Sequence, residues 1–364
     1  MTEGVATLND QLRIAMITTW NTRCGIAEYS RSLTEALTRL GHGTDILASY
    51  PVRPVPENND RPEVQRWFYT GWHQERGVDL AKALQVLQER ESQIIHLQYQ
   101  NFIYAPPFLS ALHSLAQVAP LVVTFHDPLL PPGFPHADCK AGIFHTDKTA
   151  ALIGWNKRKK VIPIGIYDWP DENREAARQR LHISSRHVLC SLGLGRTDHG
   201  SVLQAMQGLH DRYPDLLYVI IAPPDLHNST YKRAVDLGLG ENIRYLNHFP
   251  PNEEIVNYLH AADLTVFYYG EFGIPGVCSA ASRLGIAGRR PVILSDVKLM
   301  QDLPDPLKIP YGSIPALQAR IMELFENPGA VSAALQIQEQ LISQYDWDLT
   351  AAAHVQLYRE VLGS

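Results

Sequence analysis

Apolar residues follow two alternating rhythms along this chain. Short unbroken apolar runs, bounded by glycine, proline or polar turns, predict buried strands at residues 12–18, 44–48, 94–98, 121–125, 141–146 and 161–164. Between them apolar positions recur every three or four residues. That spacing predicts helices from Ile26 to Leu40, at 80–87 and at 107–117, with Gly41 stopping the first. Residues 51–62 and 128–135 are proline-rich and break regular structure. A polar, turn-forming stretch at 167–173 interrupts the alternation. After a small helix ending at Leu181 it restarts, with strands at 187–192, 216–222, 243–246 and 266–269 and helices at 201–209, 230–237 and 252–260. A helix from Val277 to Ala287, a strand at 291–294 and helices at 314–325, 330–345 and 349–362 complete the chain.

Strands alternating with helices at this pace imply parallel sheets covered on both faces. The α/β pattern occurs twice. It predicts two doubly wound, Rossmann-like domains facing across a cleft, with any ligand at the carboxyl ends of the strands. The expected divisions are 1–168, 169–345 and a closing helix at 346–364. A length of 364 residues, 45% of them hydrophobic and 19% charged, suits two ordinary globular cores.

A net charge of -6 argues against a nucleic-acid binder. The first residues lack a basic and then apolar leader, and the apolar runs fall far short of the roughly 18 residues of a membrane span. Cys24, Cys139, Cys190 and Cys278 lie far apart with no paired metal-ligand spacing. A soluble chain in a reduced, cytoplasmic compartment is the expectation. The run Lys157-Arg158-Lys159-Lys160 reads either as a solvated face or as a contact to anionic lipid at the inner face of a membrane.

Candidate chemistry concentrates at predicted strand ends. The stretch VFYYGEFGIPGVCSAASRLGIAGRRPVIL reads as strand, glycine-rich turn, helix and strand. Free N–H groups of Gly276, Val277, Cys278 and Ser279 at the helix start would suit an anion, usually phosphate. Glu271 beside them would accept from sugar hydroxyls. Gly25, at the start of the first helix, would let backbone approach a phosphate or sugar, or is a plain turn glycine. His126 could hydrogen-bond a sugar hydroxyl, with Asp127 orienting the ring. Arg196 offers a planar guanidinium for two phosphate oxygens, with His199 assisting. No paired carboxylates form an evident metal motif, and the acids of Asp346-Trp347-Asp348 are explained by capping of the last helix.

In this order the segments CGIAEYSRSLTEAL, HLQYQNF, VVTFHD, KKVIPIGI, SLGLGRTDHG, NHFPPNEEIVNYLHAADLTVFYYGEFG, AGRRPVILSD and YDWDLTAAAHVQLYREVL resemble the retaining glycosyltransferases of the GT-B fold, family 4. The resemblance implies an N-terminal acceptor domain, a C-terminal domain for a nucleoside diphosphate sugar, and a last helix crossing back to the first domain. It implies that Gly25 lies by the diphosphate, His126 contacts the transferred sugar, Arg196 binds the diphosphate and Glu271 reaches sugar hydroxyls. Transfer would retain anomeric configuration without a metal or cofactor, from a UDP- or GDP-linked donor to a glycan, a lipid-linked or a small-molecule acceptor. Two positions depart from the family. His199 stands where relatives keep a lysine, so its imidazolium is expected to help hold the diphosphate. Ser279 stands where a second glutamate is usual. A non-catalytic sugar- or nucleotide-binding subunit is the alternative.

Overall fold

The computed structural model describes residues 11–22, 24–51, 60–70, 76–104, 106–193, 196–222, 227–246, 248, 250–271 and 273–363. Most of the proline-rich 51–62 stretch, the first ten residues and positions 194–195 lie outside them. The chain divides into two compact units. The first comprises residues 1–165, 274–277 and 347–364, and the second residues 166–273 and 278–346.

In the first unit the order is β1 (Arg13–Thr18), α1 (Gly25–Arg39), β2 (Gly43–Ser49), β3 (Val64–Phe68), α2 (Leu80–Glu89), β4 (Ile94–Tyr99), α3 (Pro106–Ala116), β5 (Leu121–Phe125), β6 (Cys139–Phe144), α4 (Asp147–Ile153) and β7 (Arg158–Val161). Its seven strands form one sheet ordered β3-β2-β1-β4-β5-β6-β7, parallel throughout. Both faces are covered, so strands such as β4 are buried at every position and read as continuous runs. The strand order reverses between β1 and β4, the place where such sheets keep ligands.

The second unit carries α5 (Arg174–Arg180), β8 (Val188–Leu192), α6 (His199–Leu209), β9 (Leu217–Ile221), α7 (His227–Asp236), β10 (Ile243–Leu246), α8 (Asn252–Ala261), β11 (Leu264–Phe267), α9 (Ala280–Ala287), β12 (Val292–Asp296), β13 (Lys308–Pro310), α10 (Ile314–Glu326) and α11 (Pro328–Tyr345). Its parallel sheet is ordered β10-β9-β8-β11-β12-β13 and reverses between β8 and β11.

The strand expected at 161–164 lies instead at Arg158–Val161, and three elements escape the sequence pattern, one of them the 3-residue β13. β3 carries Arg66 in its centre, which breaks the apolar run. Arg66 is nonetheless buried, because its guanidinium pairs with Asp60 at 2.7 Å and bonds the carbonyls of Ser49 and Trp20. α4 is only 7 residues long, too short to show a period, and starts at Thr146, whose hydroxyl caps Thr149 N–H at 3.3 Å.

The last helix, α12 (Trp347–Leu362), belongs to the first unit and packs along α1. Trp347 lies edge-on to Tyr29 of α1 at 5.2 Å, and Arg39 pairs with Asp348 at 2.7 Å. Gly165 makes that docking possible, since a Cβ there would stand 2.5 Å from the Trp347 ring. Gly165→Ala should therefore overpack the seat and cost about 1–3 kcal/mol of stability. A melting temperature unchanged from wild type would show that Trp347 has room to yield.

Candidate functional site

In the first unit Gly25 opens α1, His126 packs against that helix, and Asp127 follows His126 in the loop after β5. Gly25 is exposed, has an ordinary φ, and a Cβ added to it would meet nothing within 4 Å. The chain's own packing gives no reason for glycine there; the space beside it is open.

His126 follows β5 and packs edge-on against Tyr29 of α1 at 4.9 Å. Its Nε2 lies 2.9 Å from Gln98 Oε1, and its Nδ1 lies 3.1 Å from His145 Nε2. His145 Nδ1 in turn donates to the Ile162 carbonyl at 2.9 Å. Gln98 and His145 flank the ring on its two nitrogens, and a neutral ring, with one N–H, donates to only one of them. Asp127, expected to orient the ring, does not. It is 3% exposed, and its two oxygens accept from Asn101 N–H at 3.0 Å and Leu129 N–H at 2.9 Å. Burial raises its pKa and the two backbone bonds partly offset this. Asp127 ties the loop after β4 to the loop after β5.

Burial, with the neighbouring His145, His96 and His354 rings, pushes the His126 pKa well below its ordinary value, so the ring is neutral near pH 7. His96 on β4 is likewise pushed well below, and His354 on α12 to about 4, in both cases mainly by burial. Tyr358 and Thr124 each lie 2.7 Å from His96, and Tyr29 lies 3.1 Å from His354. Among the described residues no three of His, Cys, Asp or Glu are grouped to hold a metal ion. The rings bond one another and nearby hydroxyls instead. This row was not evident in the sequence, since its members come from β4, β5, β6, α1 and α12; the polar His96 and Gln98 within an apolar strand were the available signal.

The glycine-rich turn differs from its expected form. Gly276 has φ +90° and presses on α4, where a Cβ would stand 2.8 Å from Thr149 Oγ1; its carbonyl accepts from that hydroxyl at 2.7 Å. Val277 N–H bonds Ile274 O, and Ser279 N–H bonds Leu299 O, both at 3.2 Å. The expected run of free amides from 276 to 279 is therefore not present. The helix begins at Ala280, with Ser279 as its N-cap accepting from Ser282 N–H at 3.2 Å. An anion at this helix would meet the first-turn amides of Ala280 and Ala281. Cys278 is half-buried, and burial pushes its thiol pKa up.

In the second unit, Thr197 forms a bridge with Tyr269 and Asp198 N–H donates to Tyr268 O at 2.8 Å. These contacts bring the loop after β8 against the end of β11, so exposed Arg196 and exposed Glu271 stand at the point where this sheet's order reverses. The Arg196 charge reaches the Tyr269 phenol, and that of Glu271 reaches Tyr311. Tyr269 accepts from Ser279 Oγ at 3.3 Å. Arg283, pairing with Asp302, donates to the Ser279 carbonyl at 2.7 Å and supports the turn from within.

His199 does not act as the expected cation. It is 8% exposed, its Nδ1 lies 2.9 Å from the Tyr218 hydroxyl, and burial pushes its pKa down to about 4. The basic run also has structural partners. Lys157 donates to the carbonyls of His136, Ala137 and Cys139, Arg158 pairs with Glu360 at 3.4 Å, and Lys160 bonds Gln356 at 2.6 Å. It forms the edge strand β7 fastened to α12, where charged residues also discourage edge-to-edge pairing.

Two parallel sheets, each reversing strand order beside candidate site residues, define the GT-B glycosyltransferase fold. Residues 24–151 match the glycosyl transferase 4-like domain. Solved structures similar over nearly the whole chain include a glycosyltransferase from Rickettsia africae, with 16% identity, a TM-score of 0.75 and coverage of 97% of this chain and 99% of that one. The sucrose-phosphate synthase of Thermosynechococcus elongatus shares 17% identity at a TM-score of 0.72, covering 97% and 100%. HepE of Anabaena, solved with UDP, shares 15% at 0.70, covering 96% and 100%. No curated protein sequence matches the chain. Among the described residues no helix is long and apolar enough to cross a membrane.

The histidines have a common consequence. Above pH 6.5 they are neutral both folded and unfolded. Below it the unfolded chain takes up protons that the folded one excludes, so stability is lost as pH falls from about 6.5 towards 4. For His199 and His354 the loss is on the order of 3 kcal/mol each. Melting temperature should fall steeply between pH 7 and 4.5; a flat profile would contradict the neutral assignment. His199→Lys, which buries an ammonium, should lower stability rather than improve anion binding at alkaline pH.

Proposed function

We propose that the protein is a glycosyltransferase that moves a sugar from a nucleoside diphosphate sugar to a hydroxyl acceptor with retention of anomeric configuration and without a metal. The observation that carries this reading is that the loops at the switch point of the second sheet carry an exposed guanidinium and an exposed carboxylate. Arg196 suits a diphosphate and Glu271 suits sugar hydroxyls. The fold of the UDP-bound HepE over 96% of this chain supports a nucleotide donor, with UDP the first to test. In this reading residues 1–168 take the acceptor and residues 169–345 the donor.

In the transfer the bond from the anomeric carbon to the diphosphate oxygen breaks, and a bond to the acceptor oxygen forms on the same face. The acceptor proton passes to the departing diphosphate. Arg196 and the first-turn amides of Ala280 and Ala281 stabilise the charge that develops there. His126, a neutral ring with one N–H, is the group offered to a sugar hydroxyl.

Hydrolysis of UDP- and GDP-sugars without acceptor, measured with and without EDTA, tests the activity. NMR of the first transfer product tests its stereochemistry. An inverted product, or strict dependence on added magnesium or manganese, contradicts the mechanism. Arg196→Ala should lower kcat/KM by about 30- to 1000-fold, as loss of a charge-assisted phosphate contact implies. Wild-type kcat/KM in that variant would remove Arg196 from the donor site.

A further inference from the structure

His145 has no part in the proposed transfer, yet it is 4% exposed and its Nε2 lies 3.1 Å from His126 Nδ1. The Ile162 carbonyl, 2.9 Å from His145 Nδ1, can only accept, so that nitrogen carries a proton. A second proton would bury a charge, which is costly, so His145 Nε2 is bare. It can then only accept, and its partner is His126 Nδ1. The single N–H of neutral His126 therefore lies on Nδ1, and its Nε2 holds a lone pair. The same device recurs at His354. There Nδ1 donates to the Thr350 carbonyl at 2.7 Å, which leaves Nε2 to accept from the Tyr29 hydroxyl at 3.1 Å.

The tautomer of His126 decides the amide of Gln98. An oxygen 2.9 Å from a bare Nε2 would set two lone pairs against each other, so Gln98 turns its –NH2 to His126. The two ends of an amide have nearly the same shape, and the exchange needs no repacking. Little is lost at the far end of the amide. It lies 3.3 and 3.2 Å from the two nitrogens of His96, near-equal distances that place it over the ring rather than along either lone pair. Those nitrogens already meet Tyr358 and Thr124 at 2.7 Å, and the Met16 sulfur at 3.1 Å is a weak acceptor.

We infer that His145 is a positioning residue that fixes His126 as the Nδ1–H tautomer, so that the ligand group meeting Nε2 must be a hydroxyl that donates. The ligand role rests on the transferase reading above; the tautomer rests on the Ile162 carbonyl. A hydroxyl accepts as well as donates, whereas a fluorine in its place cannot donate. His126 Nε2 thus reads the hydrogen of that hydroxyl and not merely its polarity.

Long-range 1H–15N spectra of the full chain, labelled with 15N-histidine, report which ring nitrogen of His126 is protonated, and His126→Ala assigns its signals. At about pH 7.5, where an unperturbed histidine is neutral, the proton should be on Nδ1. A proton on Nε2 overturns the inference. Gln98→Met should leave the proton on Nδ1, whereas His145→Phe should move it to Nε2, facing an amide free to turn. A proton that moves in Gln98→Met, or stays in His145→Phe, shows that His145 does not set it.

Calorimetric binding of UDP-glucose and GDP-mannose, with their single deoxy and deoxyfluoro analogues, reads the ligand side. The hydroxyl meeting His126 is the one whose loss no longer matters in His126→Ala. There the deoxy and the fluoro donor should both bind about threefold to tenfold more weakly than the parent. A fluoro donor that binds as tightly as the parent at that position overturns the inference. So does donor binding with no hydroxyl dependent on His126. Failure of both donors to bind overturns the ligand role together with the transferase reading, while the ring spectra still decide the tautomer.

Discussion

Tyr29 holds the chemistry of the first unit in place. Its ring, 3% exposed on α1, meets His126, His145 and Trp347 within 5.3 Å, and its hydroxyl shares a hydrogen bond with His354. A buried phenol without a partner would cost about 1–3 kcal/mol, so α12 is needed as much for this bond as for the apolar surface it covers. His354 is itself anchored, its Nδ1 donating to the Thr350 carbonyl at 2.7 Å. The result is a continuous polar row inside an otherwise apolar unit, from Thr124 and His96 through Tyr358 on one side and through Tyr29 to His126 on the other. Each member is affordable only because its neighbour is present. His126 is consequently a neutral ring packed in a fixed orientation.

The same economy governs the second unit. A parallel sheet with helices on both faces exposes functional groups only at strand ends, and the reversal of strand order leaves a gap there. The Thr197–Tyr269 bridge closes one side of that gap and places Arg196 and Glu271 on loops whose bases are firmly held. Beneath them the Arg283–Asp302 pair and the Ser279 cap fix the turn before α9. Exposed charges above a rigid, satisfied turn can change partners when a ligand arrives, whereas buried ones cannot without leaving a charge unpaired.

The alternating rhythm of apolar runs and helical spacing determined the α/β class, the two sheets and most of their elements, because burial on both faces leaves a local signature in each strand. It also marked the strand-end residues Arg196, Glu271 and His126 as chemically suited to a donor. What it could not determine was how neighbours distant in sequence would occupy those groups. Arg66 reads as polar until Asp60 and two carbonyls bury it. Asp127 reads as a ligand until two backbone amides take its oxygens. His199 reads as a cation until burial removes its charge, and the Gly276 turn reads as a phosphate seat until Ile274 and Leu299 accept two of its amides. A side chain's type sets which bonds and charges it can have; only tertiary packing decides which partners meet it and how much water it keeps, and those two quantities set its pKa and its availability.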